Sequence, residues 1–169
     1  MSFPPRRVVT GHDETGRAVV TSDELVDNGV SRRPGHRSFV LWTTDKVPAE
    51  ASAEAPLDLT TLNRSLANGT VFRIVEYAPG VAPARHQTDS VDYAVVLSGE
   101  IELVLDGTTV RLSAGDTVIQ RATVHDWVNN SDRPCVMVFC LIGAMSRPSF
   151  DDARGGHADQ VETQSSTRS

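Results

Sequence analysis

The sequence predicts an all-β domain, on three observations. Short apolar runs recur through the middle of the chain, turn residues separate them about every 8 to 12 positions, and no window there follows a helical period. Residues 7–10 and 18–21 flank the polar stretch 11–16 (GHDETG) and read as two strands joined by a loop. Residues 38–43 (SFVLWT) read as a further strand, so residues 1–69 form an N-terminal arm of extra strands in the same domain. Residues 47–55 (VPAEASAEA) are a small-residue loop. The core spans residues 70–145. It opens with 70–77 (TVFRIVEY), rich in β-branched and aromatic residues and stopped by Ala78-Pro79-Gly80. Residues 91–97 (VDYAVVL) follow, closed by Ser98-Gly99, and 101–105 (IELVL) and 109–112 (TVRL) flank the hairpin signal Asp106-Gly107. After a second turn at 113–116 (SAGD), residues 117–120, 126–128 and 135–141 complete the series, with 129–134 as a loop. Residues 146–169 are polar and rich in Gly and Ser, and read as a mobile tail that cannot bury enough apolar area to order itself.

Composition narrows the function. The chain has 169 residues, 39% of them hydrophobic, and carries 22 acidic against 16 basic side chains for a net charge of -6. One domain of this size buries a core without disulfide or metal staples. An acidic chain with no Lys/Arg block argues against nucleic acid or an anionic membrane as partner, and leaves a small-molecule substrate. No apolar run approaches the roughly 20 residues of a membrane span, and the start MSFPPRR lacks a signal-peptide h-region, so a cytoplasmic location is expected. Cys135 and Cys140 lie an odd number of positions apart on one strand, which sends their side chains to opposite faces and leaves them unpaired with each other. The absence of a Gly-rich phosphate loop, a Cys-x-x-Cys pair and a Gly-x-Ser-x-Gly elbow removes nucleotide cofactors, zinc ribbons and serine hydrolases.

The chemistry-bearing residues fall into two motifs. Gly80, His86, Thr88, Asp92 and Gly99 are spaced as in G-x5-H-x-H-x3-E-x6-G, with Thr and Asp in place of the second His and the Glu. Downstream of Gly115, His125 and Asn129 are spaced as in P-x-G-x2-H-x3-N, with Gln120 and Ala122 standing at the Pro and Gly positions. In these residues the chain resembles the cupin superfamily, and within it small stand-alone conserved-barrel cupins described as dehydratases, decarboxylases or oxidoreductases of secondary metabolism. The resemblance implies a double-stranded β-helix, a jelly-roll barrel with its site inside. It also implies His86, Asp92 and His125 as the retained metal-ligand positions. Two imidazoles and a carboxylate suit a divalent metal such as iron, manganese, nickel or zinc, although Thr88 replaces one imidazole and Asp92 is a methylene short, so the site can equally be metal-free.

The same residues carry an independent reading. His86 and His125 are an acid–base pair, and Asp92, a carboxylate in an apolar strand, needs a partner if buried. Parity puts Asp92, Ala94 and Val96 on one face and turns Tyr93 outward to a second sheet. Arg73 shares its face with Val71, Val75 and Tyr77, where it can neutralise Asp92 or stabilise an enolate. Trp127 is either a stacking wall or a core residue, and Thr88 and Gln120 are candidate substrate contacts at the cavity or its mouth. His12, His36 and His157 read as solvated loop residues. Three functions remain open: an acid–base lyase (dehydratase or decarboxylase), an iron-dependent dioxygenase using His86, Asp92 and His125, and a non-catalytic ligand-binding module. Open sheet edges and the N-terminal arm suggest a homodimer.

Overall fold

The computed structural model describes residues 4–51 and 65–145, and every regular element among them is a strand. In chain order these are β1 (Arg6–His12), β2 (Ala18–Leu25), β3 (Val30–Arg33), β4 (His36–Thr44), β5 (Thr70–Tyr77), β6 (Ser90–Ser98), β7 (Glu100–Val104), β8 (Thr109–Ser113), β9 (Thr117–Arg121), β10 (Asp126–Val128) and β11 (Cys135–Gly143). The tail at 146–169 and residues 52–55 of the small-residue loop lie outside the described residues.

Two antiparallel sheets build the barrel. One has six strands in the order β3-β4-β5-β11-β6-β9, and the other has three, β10-β7-β8. Alternation along each strand puts one apolar row inward: Val71, Val75 and Tyr77 of β5, Ala94 and Val96 of β6, Ile101 and Leu103 of β7, and Cys135, Met137, Phe139 and Leu141 of β11 share one core. Each of the larger aliphatic and Phe side chains contributes roughly 1.5–3 kcal/mol of transfer free energy, so the register that hides all of them is strongly favoured. All-β architecture with jelly-roll closure is therefore what the chain adopts.

The strands expected near the N-terminus divide between two places. β1 and β2 form a separate hairpin, whereas β3 and β4 belong to the main sheet, β4 pairing with β5 from His36↔Tyr77 to Thr44↔Thr70. That pairing slips between Val40 and Trp42. Carbonyls at such a bulge lose their ladder partners, and here Asn28 Nδ2 donates to Val40 O at 2.8 Å while Arg7 Nη1 donates to Leu41 O at 2.9 Å. Val26, just past β2, then packs with Phe39, Ile74 and Val136 on the outer face of the sheet.

Three local expectations need correcting. His12 is the last residue of β1 rather than part of a loop, though it is exposed. His36 opens β4 and is half-buried, because the Pro34-Gly35 turn folds β3 back onto β4 and carries the ring inward. Tyr93 does face outward, but at 51% exposure it meets solvent, not a second sheet.

Two glycines hold turns that no side chain fits. At Gly99 (φ +79°) between β6 and β7, a Cβ would come within 2.5 Å of Pro134 O and 2.9 Å of Cys135 Cα. At Gly35 (φ +77°) it would lie 2.9 Å from Val81 Cα, and the turn is bolted to that loop by Ala78 N–H to Gly35 O at 2.8 Å and Ala82 N–H to Pro34 O at 3.2 Å. The second contact matters because it fixes β3 against the loop that leads to His86.

Candidate functional site

A cavity of about 360 Å³ opens into the barrel, within the size range of small-molecule sites. His86 and His125 meet there although 39 positions separate them. They form an isolated antiparallel bridge in which each backbone N–H donates to the other's carbonyl at 2.9 Å, which sets both side chains on one face. Their ring centroids are 4.5 Å apart, tilted by 49°. Each ring is aimed from behind by main chain: His86 Nδ1 lies 2.7 Å from Ala84 O and His125 Nδ1 2.9 Å from Thr123 O. A carbonyl can only accept, so Nδ1 carries the proton in both rings and the neutral form keeps its lone pair on Nε2.

The supports of this pair are also polar and buried. The Asp126 carboxylate accepts from Ala84 N–H at 3.1 and 3.2 Å and from Trp127 N–H at 2.8 Å, tying the His86 segment to β10. Gln120 is absent from the cavity lining; its amide Nε2 donates to Thr123 O at 3.0 Å and to the Thr123 hydroxyl. Thr123 O thus receives both Gln120 and His125, and Gln120 stands one step behind the imidazole. Burial lowers the proton affinity of His125, opposed by its Thr123 hydrogen bond and the charge of Asp126.

Asp92 enters from the inner face of β6 and is only 4% exposed. Ser90 Oγ donates to its Oδ1 at 2.5 Å. Burial pushes the carboxyl up from the ordinary range, while the Ser90 hydrogen bond, the Arg73 and His86 charges and the Thr88 hydroxyl pull it back. Arg73 lies on the inward face of β5, opposite Phe139 on one side and Val40 on the other. Thr88 is buried in the lining. Trp127 belongs to the core cluster and also lines the cavity, edge-on to His125 at 5.9 Å and to Phe139 at 5.7 Å.

The two imidazoles come together with the Nδ1–carbonyl support that metal-bound histidines also use. Asp92 does not complete them: among the described residues no three His, Cys, Asp or Glu side chains form a group that could hold an ion. As arranged, the three residues do not fit a metal as a set.

Several lining residues escaped the sequence reading. Arg32 and Arg33 of β3, His36 of β4, Tyr77 of β5 and Arg85 all border the cavity. The one local signal was the string RRPGH, two arginines and a histidine on either side of a Pro-Gly turn. Pairing in β3 is irregular between Val30 and Arg33, and that irregularity lets consecutive arginines both reach the rim where a regular strand would turn one away.

Comparison with known proteins agrees with this architecture. Residues 73–141 match the Cupin domain family. The cupin-domain-containing oxidoreductase fogC of Aspergillus ruber is 34% identical over 146 residues, 80% of this chain and 71% of that protein. Phomopsin biosynthesis cluster protein C' of Diaporthe leptostromiformis is 36% identical over 139 residues, 75% of this chain and 71% of that protein. The solved cupin domain of Schizosaccharomyces pombe Cnp3 superposes with a TM-score of 0.51 at 13% identity, covering 91% of this chain and 96% of that one, a likeness of fold alone.

Proposed function

Because the chain belongs to the cupin family, we propose that it is a small-molecule enzyme of secondary metabolism whose buried histidine pair performs acid–base lyase chemistry. The observation that carries this reading is the bridged His86–His125 pair, with both Nδ1 atoms committed to carbonyls, so that each neutral ring keeps its lone pair on Nε2.

Two imidazoles 4.5 Å apart resist being cationic together, so one carries the extra proton and the other stays neutral. His125, whose burial disfavours the charged form, is the base, and His86, its bridged neighbour, is the acid. In a dehydration, His125 Nε2 takes a proton from the carbon beside a carbonyl and the bonding pair moves into an enolate. His86 then gives its proton to the departing β-hydroxyl, which leaves as water as the double bond forms. The positive charge of Arg73 in the lining favours an anionic substrate, and the apolar walls of Trp127, Phe139 and Leu141 keep bulk water from quenching the enolate.

The test is incubation in D2O with a panel of β-hydroxy ketones and β-hydroxy acids, followed by NMR. Loss of water or C–H/C–D exchange is expected, with a drop of roughly 10²-fold or more in the His125→Asn variant. No turnover or exchange by the native protein, or full retention in the variant, would sink the lyase reading.

A second reading is favoured by the names of some relatives, which are cupin-domain-containing oxidoreductases. It needs a bound metal. Near-stoichiometric iron in the purified protein together with oxygen-dependent turnover would establish it in place of the lyase.

A further inference from the structure

The cavity wall runs from His36 through Tyr77 and Trp127 to His125, with ring-centroid steps of 5.6, 6.5 and 5.9 Å. The proposed chemistry occupies the His125 end. The other end is cationic. Four arginines line the cavity, Arg32, Arg33, Arg73 and Arg85, against the single carboxylate of Asp92, in a chain whose net charge is -6. Such a concentration of one sign inside an oppositely charged protein is a field aimed at a ligand of the other sign.

We propose that the His36 end of the cavity is an anion subsite that receives the carboxylate of a flat organic acid, with Arg33 and Arg73 as its clamp. Arg85 at the rim is matched by Asp106 outside the cavity, but among the described residues no carboxylate forms an ion pair with Arg33. Arg33 Nε and His36 Nδ1 are both buried there without a hydrogen-bond partner. An unmet buried donor is costly in isolation and is satisfied when an acceptor enters. Arg33 and Arg73 both act electrostatically on His36 and on Tyr77, so the two guanidiniums converge on one volume. Repulsion between them is relieved by a planar anion, and the guanidinium fork matches the two oxygens of a carboxylate. Tyr77, Trp127 and Phe139 flank the path inward, which favours a flat body attached to that carboxylate.

This inference rests on the cavity being the site of the chemistry, but not on which reaction runs there. It assigns the direction in which the substrate lies: charged end among the arginines, reacting carbons toward His86 and His125.

Ligand-observed NMR with benzoate and phthalate, against their neutral isosteres benzamide and phthalamide, tests it without any turnover. The carboxylates should bind at least tenfold more tightly than the amides, and Arg33→Gln should erase most of that preference. In the native protein, raising the salt concentration should weaken the carboxylates several-fold and leave the amides unchanged, which reads the same field without a substitution. Equal binding of acids and amides, no binding of either carboxylate, a preference insensitive to salt, or an undiminished preference in folded Arg33→Gln would each overturn the subsite. His125→Asn separates the two ideas: it should keep the preference for carboxylates whatever it does to turnover.

Discussion

His36 sits at the meeting point of three guanidiniums, and its titration should report them. Burial first, then the charges of Arg33, Arg73 and Arg32, lower its pKa from 6.5 to about 4. The folded state therefore resists protonation that the unfolded chain accepts. Its contribution to stability is whole above about pH 6.5 and is lost as pH falls toward 4. The full shift corresponds to about 3 kcal/mol, and partial contact of the ring with solvent reduces this to roughly 1–2 kcal/mol. Urea unfolding at neutral pH and near pH 4.5 should show that extra loss in the native protein but not in His36→Gln. Identical acid sensitivity of the two proteins would remove the arginines from this account. His125 shifts in the same direction and is common to both, so the comparison isolates His36.

At the level of elements, the second motif departs from its pattern in sequence yet keeps its backbone. Ala122 stands at the pattern's glycine and adopts φ +49°, the left-handed region that an alanine Cβ disfavours. Its carbonyl accepts from Gln87 Nε2 at 2.9 Å and its N–H donates to Ser90 O at 3.1 Å, which hold it there. Replacing Ala122 by Gly relieves the strain and should stabilise the fold by roughly 0.5–1 kcal/mol, net of the entropy glycine adds to the unfolded chain. A lower midpoint in thermal or denaturant unfolding would refute it. Strand parity was fully legible here: Asp92, Ala94 and Val96 are buried and Tyr93 and Leu97 exposed, as alternation requires. The role of Gln120 was not, because a buried amide in a strand reveals nothing about which acceptor it will find; in the fold it braces Thr123 behind His125.

Over the whole molecule, the outer face of the six-stranded sheet is covered at one end and bare at the other. Val26 packs on Phe39, Ile74 and Val136, while Phe72, Tyr93 and Ile119 are 41%, 51% and 60% exposed. Register joins Trp42, Phe72, Cys140, Tyr93 and Ile119 into one row across five strands. The β1–β2 hairpin forms a two-stranded sheet of its own, tied to β4 through Arg7, and exposes Val8, Val20 and Leu25. A second copy of the chain is the proposed occupant, its hairpin lying on this row and receiving the same in return, since a two-fold interface must match a surface to itself. Light scattering should give a dimer for the native protein and a monomer for Tyr93→Glu, a change that faces outward and leaves the core intact. A native monomer, or a dimer unaffected by the substitution, would dismiss this face. Among the described residues no helix is long and apolar enough to cross a membrane.

The sequence by itself determined the all-β class, every strand except β3, their inward faces and the His86–His125 pair. These depend on alternation, turn residues and spacing, which are properties of neighbouring positions. Tertiary structure alone decided which groups share the cavity. β4 pairs with β5 across the long connection between them, and this non-local pairing carries Arg32, Arg33 and His36 to the same volume as Arg73 and Tyr77. It also decided that Asp92 is buried and accepts a hydrogen bond from Ser90. Backbone hydrogen bonds between strands far apart in sequence, and the competition among buried polar groups for the nearest partner, are settled only when the sheet closes.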